Sequence, residues 1–514
     1  MRTVGTDLSL SAERYARHTA VTFDDLRLTY AELNARACRL ARALSSAGVG
    51  KGDRVATLLH NCPEFVETLF AAAKIGAVFV PINFRLAGPE IGRILEDCAA
   101  TALIHGDEFG ETVASLDGAA AFPRHLVRVG DAPRPAGNGN GHEYESWIRG
   151  YPESEPDVGV STADDHLIVY TSGTTGHPKG AVLTHGNTLS SSMTKIIDFG
   201  LTSADTIVVF GPLFHVGPLM DLALPTWLRG GTVVLGRSRG FDPERLLSVL
   251  EREKATVASI YPVMWRRVLG LPGLGRYDLR HLRLLLTGGE PMPLPLLRAI
   301  YERFPDVPFV NTYGSTEGGP VTTFLSPEHR FEKIGSIGKP AFTVQVKIVD
   351  EHEREVKPGA VGELVVRSPF VCRGYWNRPD ETATATRGGW WHTGDLAMTD
   401  ADGFLWIAGR RKDMIISGAE NIYPVEIEQV IATLEGVAEV AVVGAPDAQW
   451  GEAVAAFVVR TPGSDVDETR ILEHCRARLA GYKKPRDIVF VEELPRTSNN
   501  KVSREQLRQR VRQA

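Results

Sequence analysis

Hydrophobic residues along the first two thirds of the chain switch between helical and strand periodicity. The capping box Thr29-Tyr30-Ala31-Glu32 begins a helix whose apolar positions recur at helical spacing as far as Gly48. Strands are predicted at 54–59, 77–82, 102–105, 167–170, 206–210, 232–235, 256–260, 282–286 and 308–311, and most of them precede a helical pattern. Such alternation predicts a mostly parallel sheet covered by helices.

The pattern changes at about residue 341, where strands separated by turns follow one another at 344–349, 362–366 and 404–407. These strands predict a small antiparallel sheet or barrel. Beyond Arg410, helices at 424–434 and 468–479 alternate with strands at 439–443, 453–459 and 487–491, which predicts a compact α+β unit. We therefore expect two domains, a large one over 1–409 and a small one over 410–514.

Composition and charge narrow the class of protein. The chain has 514 residues and a net charge of −6, so it has no positive field to attract a nucleic acid. The longest apolar stretch, 69–82, contains Lys74 and Gly76 and is too short for an integral membrane segment, and residues 1–10 lack the pattern of a secretory signal. Five scattered cysteines without a CxxC pair argue against disulfides and a thiolate zinc site, so a cytoplasmic enzyme is expected.

The segment 170–180 carries the densest chemistry. It follows a predicted strand and contains four Ser or Thr hydroxyls, three glycines and a lysine in eleven residues. Glycine backbone N–H groups can surround phosphate oxygens, hydroxyls donate further bonds and lysine adds charge. The spacing is not that of a Walker A loop. The candidate phosphate ligands are Thr171, Ser172, Gly173, Thr174, Thr175 and Lys179.

This segment resembles the phosphate-loop signature of the acyl-adenylate-forming enzymes, which include acyl- and aryl-CoA synthetases, amino-acid adenylation domains and beetle luciferases. Four further segments resemble the other motifs of that family, in its order: 311–317, 391–395, 409–422 and 495–501. The resemblance implies an α/β fold with a large N-terminal region of α/β subdomains plus a small β-barrel, and a mobile small α+β C-terminal domain.

The resemblance also implies roles in binding ATP and Mg²⁺. Glu317, with Thr171, is expected to hold the metal, and Lys501 to bridge the carboxylate and the α-phosphate. Asp395 and Arg410 are expected to clamp the ribose. The remaining candidates for ATP are Gly289, Glu290, Pro291, Asn311, Tyr313, Gly314, Ser315 and Thr316, of which Thr316 is also expected to act in catalysis.

A second set of residues is expected to hold the acid and coenzyme A. His215 is a candidate catalytic residue that lines the acyl pocket together with Val216, Gly217, Met220, Gly288, Gly314 and Gly319. Missing side chains at the glycines are expected to leave volume for a bulky hydrophobic acid. Lys412 is the expected hinge, and the candidate residues for coenzyme A are Ser417, Gly418, Ala419, Glu420, Tyr482, Lys483 and Lys484.

The sequence therefore indicates an ATP-dependent acid–CoA ligase that forms acyl-AMP and then acyl-CoA. Transfer to a carrier protein and a luciferase-like oxygenase are the alternatives. An amino-acid adenylation domain is disfavoured because no acidic residue follows His215 before Asp221. A serine hydrolase is disfavoured because the GxSxG at 236–240 precedes its helix by several residues. The expected partners are a carboxylic acid, ATP and coenzyme A, and the oligomeric state is left open, with a homodimer as one option.

Overall fold

A computed structural model describes residues 2–116, 122–130, 141–171, 178–290, 292–418, 420–497 and 501–513 of the chain. Its α-helices are α1 (Val4–Arg14), α2 (Tyr30–Ser46), α3 (Pro63–Ile75), α4 (Gly88–Cys98), α5 (Gly110–Ala114), α6 (Tyr144–Arg149), α7 (His185–Asp198), α8 (Leu224–Arg229), α9 (Pro243–Arg252), α10 (Pro262–Leu269), α11 (Leu294–Arg303), α12 (Pro379–Ala385), α13 (Pro424–Ala432), α14 (Glu468–Arg476) and α15 (Arg504–Gln513). A π-helix covers Gly217–Ala223, and 3₁₀ turns include Arg411–Asp413 and Gly481–Lys483.

The strands, in chain order, are β1 (Thr19–Phe23), β2 (Leu26–Thr29), β3 (Arg54–Leu58), β4 (Val78–Pro81), β5 (Ala102–Gly106), β6 (His125–Val129), β7 (Gly141–Glu143), β8 (Asp165–Thr171), β9 (Lys179–Thr184), β10 (Thr206–Val209), β11 (Thr232–Leu235), β12 (Val257–Ser259), β13 (Leu284–Gly288), β14 (Phe309–Ser315), β15 (Gly319–Leu325), β16 (Lys339–Pro340), β17 (Gln345–Val349), β18 (Gly362–Arg367), β19 (Gly374–Tyr375), β20 (Trp391–Thr399), β21 (Leu405–Arg410), β22 (Ile415–Ser417), β23 (Glu420–Ile422), β24 (Val437–Asp447), β25 (Gly451–Arg460) and β26 (Asp487–Phe490).

Two large mixed sheets form the body of the molecule. The first has the order β19-β9-β8-β4-β3-β5-β6-β7, and the second has the order β16-β15-β14-β13-β12-β10-β11-β1-β2. Each is parallel in its centre and antiparallel towards an edge, for example at β8–β9 and β14–β15. The predicted α/β class is confirmed. Helix α1 and the hairpin β1–β2 have no counterpart among the predicted elements.

The main core lies where helices pack between the two sheets. Helix α3 is buried along almost its whole length, and its sequence is mostly apolar; its buried charges Glu67 and Lys74 pair with Arg36 and Glu155. Its Phe65 ring packs edge-on against Phe79 of β4, with centroids 5.1 Å apart, and its Phe70 packs against Trp227 of α8 at 5.6 Å. Contacts of this kind fix the two sheets relative to each other.

The rest of the chain forms two smaller sheets. The predicted small barrel corresponds to an antiparallel sheet of order β17-β18-β20-β21. The C-terminal sheet has the order β23-β22-β25-β24, with β26 parallel to β25, and carries α13 and α14 on one face and α15 on the other. The predicted α+β C-terminal unit is confirmed. No helix within the described ranges combines the length and apolarity that a membrane crossing requires.

Candidate active site

The predicted phosphate loop connects two antiparallel strands of the first sheet. Strand β8 ends at Thr171 and β9 begins at Lys179, and these two residues are partners in the ladder. The Lys179 Nζ lies 3.7 Å from Glu381 Oε1 and 5.4 Å from the centroid of the Tyr375 ring. Among the predicted ligands, Ser172, Gly173, Thr174, Thr175, Pro291 and Ala419 lie outside the described residues.

Glu317 lies at the tip of the β14–β15 hairpin of the second sheet and faces Thr171 at the end of β8. Its Oε1 accepts hydrogen bonds from Thr171 Oγ1 at 3.1 Å and from the Tyr375 hydroxyl at 3.2 Å. The N–H of Cys372 donates to the Glu317 carbonyl at 2.8 Å and holds the tip in place. The two expected metal ligands therefore lie together. Tyr375 was not predicted, because it comes from a two-residue strand whose local sequence carries no chemical pattern.

Asp395 and Arg410 are directly opposite each other in the third sheet. Arg410 Nε lies 2.9 Å from Asp395 Oδ1, and the Tyr313 hydroxyl donates to Asp395 Oδ2 at 2.6 Å. The carboxylate of Asp395 raises the pKa of Arg410, and burial raises the pKa of Tyr313 well above its ordinary value. The predicted ATP residue Tyr313 and the predicted ribose residues Asp395 and Arg410 thus form one hydrogen-bonded cluster between two sheets.

Lys501 of the C-terminal unit is in the same cleft. Its carbonyl accepts from the Thr497 N–H at 2.7 Å, and its own N–H donates to Thr497 Oγ1 at 3.3 Å. Burial is the largest influence on the pKa of Lys501 and lowers it; Arg410 also lowers it, whereas Glu290, Asp395 and Glu317 oppose the shift. The residue nevertheless keeps much of its surface exposed. Lys501 therefore projects into an open cleft that protein surrounds on several sides.

An ion pair across the domains lies near this lysine. Arg266 Nη1 of α10 lies 2.9 Å from Glu439 Oε1 of β24, and the same carboxylate binds Arg496 at 2.8 Å. Arg496 precedes Lys501 in the C-terminal motif. The pair was not predicted, because Arg266 and Glu439 are 173 positions apart and nothing in their local sequences shows that they meet.

His215 lies between β10 and the π-helix, where its ring packs on Phe214 with centroids 4.3 Å apart. Phe214 packs in turn against Phe84, at 5.0 Å. Burial, together with the cations Arg85 and Lys501, lowers the pKa of His215 to about 3. The imidazole is therefore neutral at physiological pH and can donate or accept a hydrogen bond, but it supplies no positive charge.

The glycines expected to leave volume in the acyl pocket have crowded surroundings. A Cβ at Gly288 would clash with Thr312, at Gly314 with the carbonyls of Gly319 and Pro320, and at Gly319 with the Phe370 ring. Their missing side chains make room for neighbouring strands and a ring, so the volume argument was wrong for these three. At Gly217 a Cβ would lie 2.9 Å from the Tyr261 hydroxyl and 3.6 Å from Asp221 Oδ2.

Several other predicted ATP residues shape the backbone around the cleft. Asn311 is buried, and its Nδ2 donates to the Ser336 carbonyl at 3.2 Å. Ser315 Oγ accepts from the Gly318 N–H at 2.9 Å and closes the hairpin tip that contains Thr316. Gly289 has a φ of +82°, which only glycine adopts readily, in the turn after β13. Burial raises the pKa of Glu290, and Lys501 opposes that shift.

The predicted coenzyme A residues lie on the C-terminal unit. Ser417, Gly418 and Glu420 are in the β22–β23 hairpin, where the Gly418 N–H donates to the Trp450 carbonyl at 2.9 Å. Lys483 Nζ is bound to both oxygens of Glu426, at 2.7 and 2.8 Å. Tyr482 is 48% exposed, so its ring is accessible to a ligand.

Two further predicted residues of the acyl pocket, Val216 and Met220, lie on either side of Gly217 in the chain, and Met220 is fully buried.

The predicted hinge Lys412 lies between two residues that bind different domains. Arg411 Nη1 lies 3.4 Å from Glu363 Oε2 of β18, whereas Asp413 Oδ1 accepts a hydrogen bond from Arg508 Nη2 of α15 at 2.6 Å. Lys412 itself is exposed. The residue before Lys412 is therefore bound to the large domain, and the residue after it is bound to the small domain.

The GxSxG segment does not form a nucleophile elbow. Ser238 Oγ accepts a hydrogen bond from the Asn61 N–H at 3.1 Å and lies 3.4 Å from His60 Nδ1. Helix α9 begins only at Pro243, so the serine is not at the start of a helix as that motif requires.

Comparisons with known proteins agree with this geometry. Residues 8–376 match the model of the AMP-binding enzyme family, and residues 426–501 match that of the AMP-binding enzyme C-terminal domain. A feruloyl-CoA synthase from Amycolatopsis sp is 43% identical, with 96% of each chain covered. An indoleacetate–CoA ligase from Aromatoleum aromaticum is 40% identical over 96% of this chain and 95% of its own.

Solved structures give the same result. An anthranilate CoA ligase in complex with anthranoyl-AMP aligns with a TM-score of 0.91 and 30% identity, over 99% of this chain and 97% of its own. ATP-bound MatB from Rhodopseudomonas palustris aligns with a TM-score of 0.89 and 28% identity, over 99% of each chain.

Proposed function

The chain belongs to the AMP-binding enzyme family and is an AMP-forming acid–CoA ligase, and we propose that the acid it activates is an aromatic carboxylic acid. Two of the relatives described above carry aromatic acids in their names. The residues around His215 fit such an acid, since the Phe214 ring packs on it, the Phe84 ring packs on Phe214, and Met220 is buried. Offset or edge-on packing of a substrate ring on these rings would add to the gain from burying apolar surface.

The observation that supports the first half-reaction is the position of Lys501 among groups of the large domain. In this step a carboxylate oxygen of the acid attacks the α-phosphorus of ATP, and the bond to the β-phosphate breaks to release pyrophosphate. Two negatively charged groups must approach each other. We assign to the Lys501 ammonium the role of bridging them, because a cation that is already in place stabilises the charge that develops in the transition state.

The cleft also fits a Mg²⁺ ion. Mg²⁺ prefers oxygen ligands and is commonly held by one or two carboxylates together with substrate phosphates. Glu317 would provide the carboxylate and Thr171 a hydroxyl beside it. The described residues contain no cluster of three or more His, Cys, Asp or Glu that would hold a metal by itself, so most other ligands would come from ATP and water. When bound, the ion would neutralise phosphate charge.

The second half-reaction requires a different arrangement of the domains. The thiol sulfur of coenzyme A attacks the acyl carbon of acyl-AMP, its proton passes to water, the acyl–phosphate bond breaks and AMP leaves. We propose that the small domain rotates at Lys412 between the two steps. The β22–β23 hairpin, with Ser417, Gly418 and Glu420, would then approach the cleft.

Positive charge for the phosphates of coenzyme A is available on both domains. On the small domain Lys483 is bound to Glu426, so Lys484 is the better candidate of the two. On the large domain a cavity of about 570 Å³ is lined by Arg85 and Arg239, by Arg237, which pairs with Asp24, and by the rings of Phe84 and Phe109. Arginines suit phosphates and aromatic rings suit an adenine, so this cavity is a second candidate.

A panel of acids tests the proposed substrate class. We expect kcat/KM for pyrophosphate release to be at least about tenfold higher with ferulate, cinnamate or indoleacetate than with octanoate or acetate. Each buried CH₂ contributes roughly 0.8 kcal/mol, about a fourfold preference, and ring packing adds to this. Coenzyme A consumption is measured in parallel. A preference for acetate or for palmitate would contradict the proposal.

Gly217→Leu locates the pocket within the same assay. We expect it to shift the optimum to smaller acids and to leave KM for ATP unchanged, because the new side chain would overlap the bulkiest substrates. Gly110→Leu is the matched control, since a Cβ at Gly110 meets no atom within 4 Å. An unchanged optimum in Gly217→Leu would place this residue outside the pocket.

A further inference from the structure

A buried ion pair lies next to the segment that carries His215. Lys195 of α7 and Asp221 of the π-helix face each other, with Nζ 3.9 Å from Oδ1. The Lys195 ammonium donates a hydrogen bond to Ser191 Oγ and lies 5.1 Å from the centroid of the Phe370 ring. Three groups therefore contact the Lys195 ammonium, and Asp221 is the more distant of its two polar partners.

The Asp221 carboxylate lacks the hydrogen bonds that a buried acceptor normally has. Its Oδ1 is buried, and no described residue donates to it. The 3.9 Å to Lys195 is longer than a hydrogen bond. Buried polar atoms are nearly always paired, so an unpaired carboxylate oxygen here needs a reason. Burial raises the pKa of Asp221, and the charge of Lys195 opposes that shift.

Asp221 has one open side. Its side chain keeps 16% of its surface accessible, whereas that of Lys195 keeps 1%. The Asp221 Oδ2 lies 3.6 Å from the position that a Cβ would take at Gly217, and the Tyr261 hydroxyl lies 2.9 Å from the same point. The carboxylate and the phenol therefore converge on the backbone of Gly217, which is part of the predicted acyl pocket.

The local backbone explains how this happens. Residues Gly217–Ala223 form a π-helix, which is rare and is often found at functional sites. The wider turn brings the Asp221 side chain close to Gly217, so the Asp221 carboxylate lies one turn beyond His215 and Val216. A substrate that enters past His215 would have its far end near Asp221.

We propose that Asp221 Oδ2, the oxygen on the open side near Gly217, accepts a hydrogen bond from a hydroxyl on the ring of the aromatic acid, at the end opposite to its carboxylate, while Oδ1 faces Lys195. The inference rests on the proposed function, since it names the substrate class of the same site. Tyr261 would line the same position. Lys195 is a positioning residue that keeps a negative charge stable in the interior. An acid without this hydroxyl would cover Asp221 Oδ2 and leave neither carboxylate oxygen hydrogen-bonded, and a site of that kind discriminates strongly against it.

The test compares cinnamate with its 2-, 3- and 4-hydroxy derivatives in pyrophosphate release. For the wild-type protein we expect kcat/KM of the best hydroxy isomer to exceed that of cinnamate by about 10- to 100-fold. In Asp221→Asn the ratio should fall at least about tenfold, with KM for ATP unchanged. Asp198→Asn is the matched control, because Asp198 also faces Lys195 electrostatically but accepts the Phe342 N–H outside the acyl pocket; its ratio should stay at the wild-type value.

A double variant keeps the test valid if removal of one charge destabilises the protein. Lys195→Met with Asp221→Leu removes both charges together, which is usually tolerated better than an unpaired buried ion. We expect it to fold and to lose the preference for the hydroxy acid while retaining activity with cinnamate. Tm of every variant is measured.

Three results would overturn the inference. They are a wild-type ratio near one, an Asp221→Asn variant with wild-type activity on both acids, and an Asp221→Asn variant whose activity falls equally with both acids. The last would mean that the pair is only structural. If no aromatic acid were activated at all while fatty acids were, the proposed substrate class would fail instead, so the two failures can be told apart.

Discussion

The role proposed for Lys501 depends on its charge at one position, so replacing it should separate the two half-reactions. In Lys501→Ala we expect acyl-AMP formation to fall by about 10²- to 10³-fold, the usual effect of removing one preorganised stabilising group. Formation of acyl-CoA from supplied acyl-AMP should stay close to the wild-type rate, because that step involves no new approach of two negative groups. The measurements are ATP–pyrophosphate exchange and single-turnover thioester formation.

Lys357→Ala, an exposed lysine of the large domain, is the control for that experiment. Equal loss of both half-reactions in Lys501→Ala would contradict the role assigned to Lys501 and would indicate a general disturbance of the cleft.

At the scale of residues, the sequence predicted the active-site residues that belong to recognisable motifs. Glu317, Asp395, Arg410 and Lys501 lie near one another as expected. Tyr375, which donates to Glu317, was missed because its role depends on a strand partner far away in the chain. His215 was predicted as catalytic from its motif, but its neutral state follows only from the burial and the two cations around it.

At the scale of elements, the 3₁₀ turn Arg411–Asp413 is where the domain attachment changes. Proline fixes φ, removes an N–H and restricts the residue before it, so Lys412→Pro should hinder rotation. ATP–pyrophosphate exchange should be retained, while acyl-CoA formation should fall at least about tenfold. Lys412→Ala is the control, since it removes only the side chain. Wild-type rates of both steps in Lys412→Pro would show that the domains do not turn at this residue.

The pair of Arg266 on α10 with Glu439 on β24 should favour the arrangement in which Lys501 faces the cleft. A partly exposed ion pair contributes up to about 1 kcal/mol, roughly a fivefold effect. We therefore expect Arg266→Met to lower ATP–pyrophosphate exchange by about two- to fivefold and to leave thioester formation from supplied acyl-AMP unchanged or faster.

Arg267→Met is the matched control, because Arg267 is adjacent but packs on the Phe241 ring instead of pairing with Glu439. Slower thioester formation in Arg266→Met, with exchange unaffected, would mean that this contact favours the other arrangement of the domains.

For the whole molecule, buried histidines make stability depend on pH. The rings of His166 and His185 stack with centroids 4.7 Å apart. Burial lowers the pKa of His185 to about 4 and that of His166 well below its ordinary value. Both are neutral in the folded protein, while the unfolded chain binds protons near pH 6.5. Because the unfolded state then holds more protons, the free energy of unfolding falls as the pH decreases from about 6.5 towards 4.

The measurement is Tm and urea unfolding between pH 4.5 and 8. One proton difference corresponds to about 1.4 kcal/mol per pH unit, so the decline should be steep. His185→Asn should reduce the slope, whereas His281→Asn, at an exposed position, should not. Stability that rises on acidification through this range would contradict the assignment.

Local patterns by themselves determined most of the helices and strands and the ordered motifs. Periodicity, capping residues and glycine-rich turns act over a few residues, so they can be read without the fold. Strand β11, for example, has the predicted bounds, and β3 differs from its prediction by one residue. The family motifs are equally local, which is why the activity class could be predicted from the chain alone.

Only the tertiary structure decided which of these segments meet. Thr171 and Glu317 are 146 positions apart and come from different sheets, and Lys195 faces Asp221 across two helices. The order of the strands and the packing between sheets determine such pairs, and neither depends on nearby sequence. The glycines show the same limit, because whether a missing side chain leaves a cavity depends on what packs against it. At Gly288, Gly314 and Gly319 the neighbouring strands and the Phe370 ring already occupy that space.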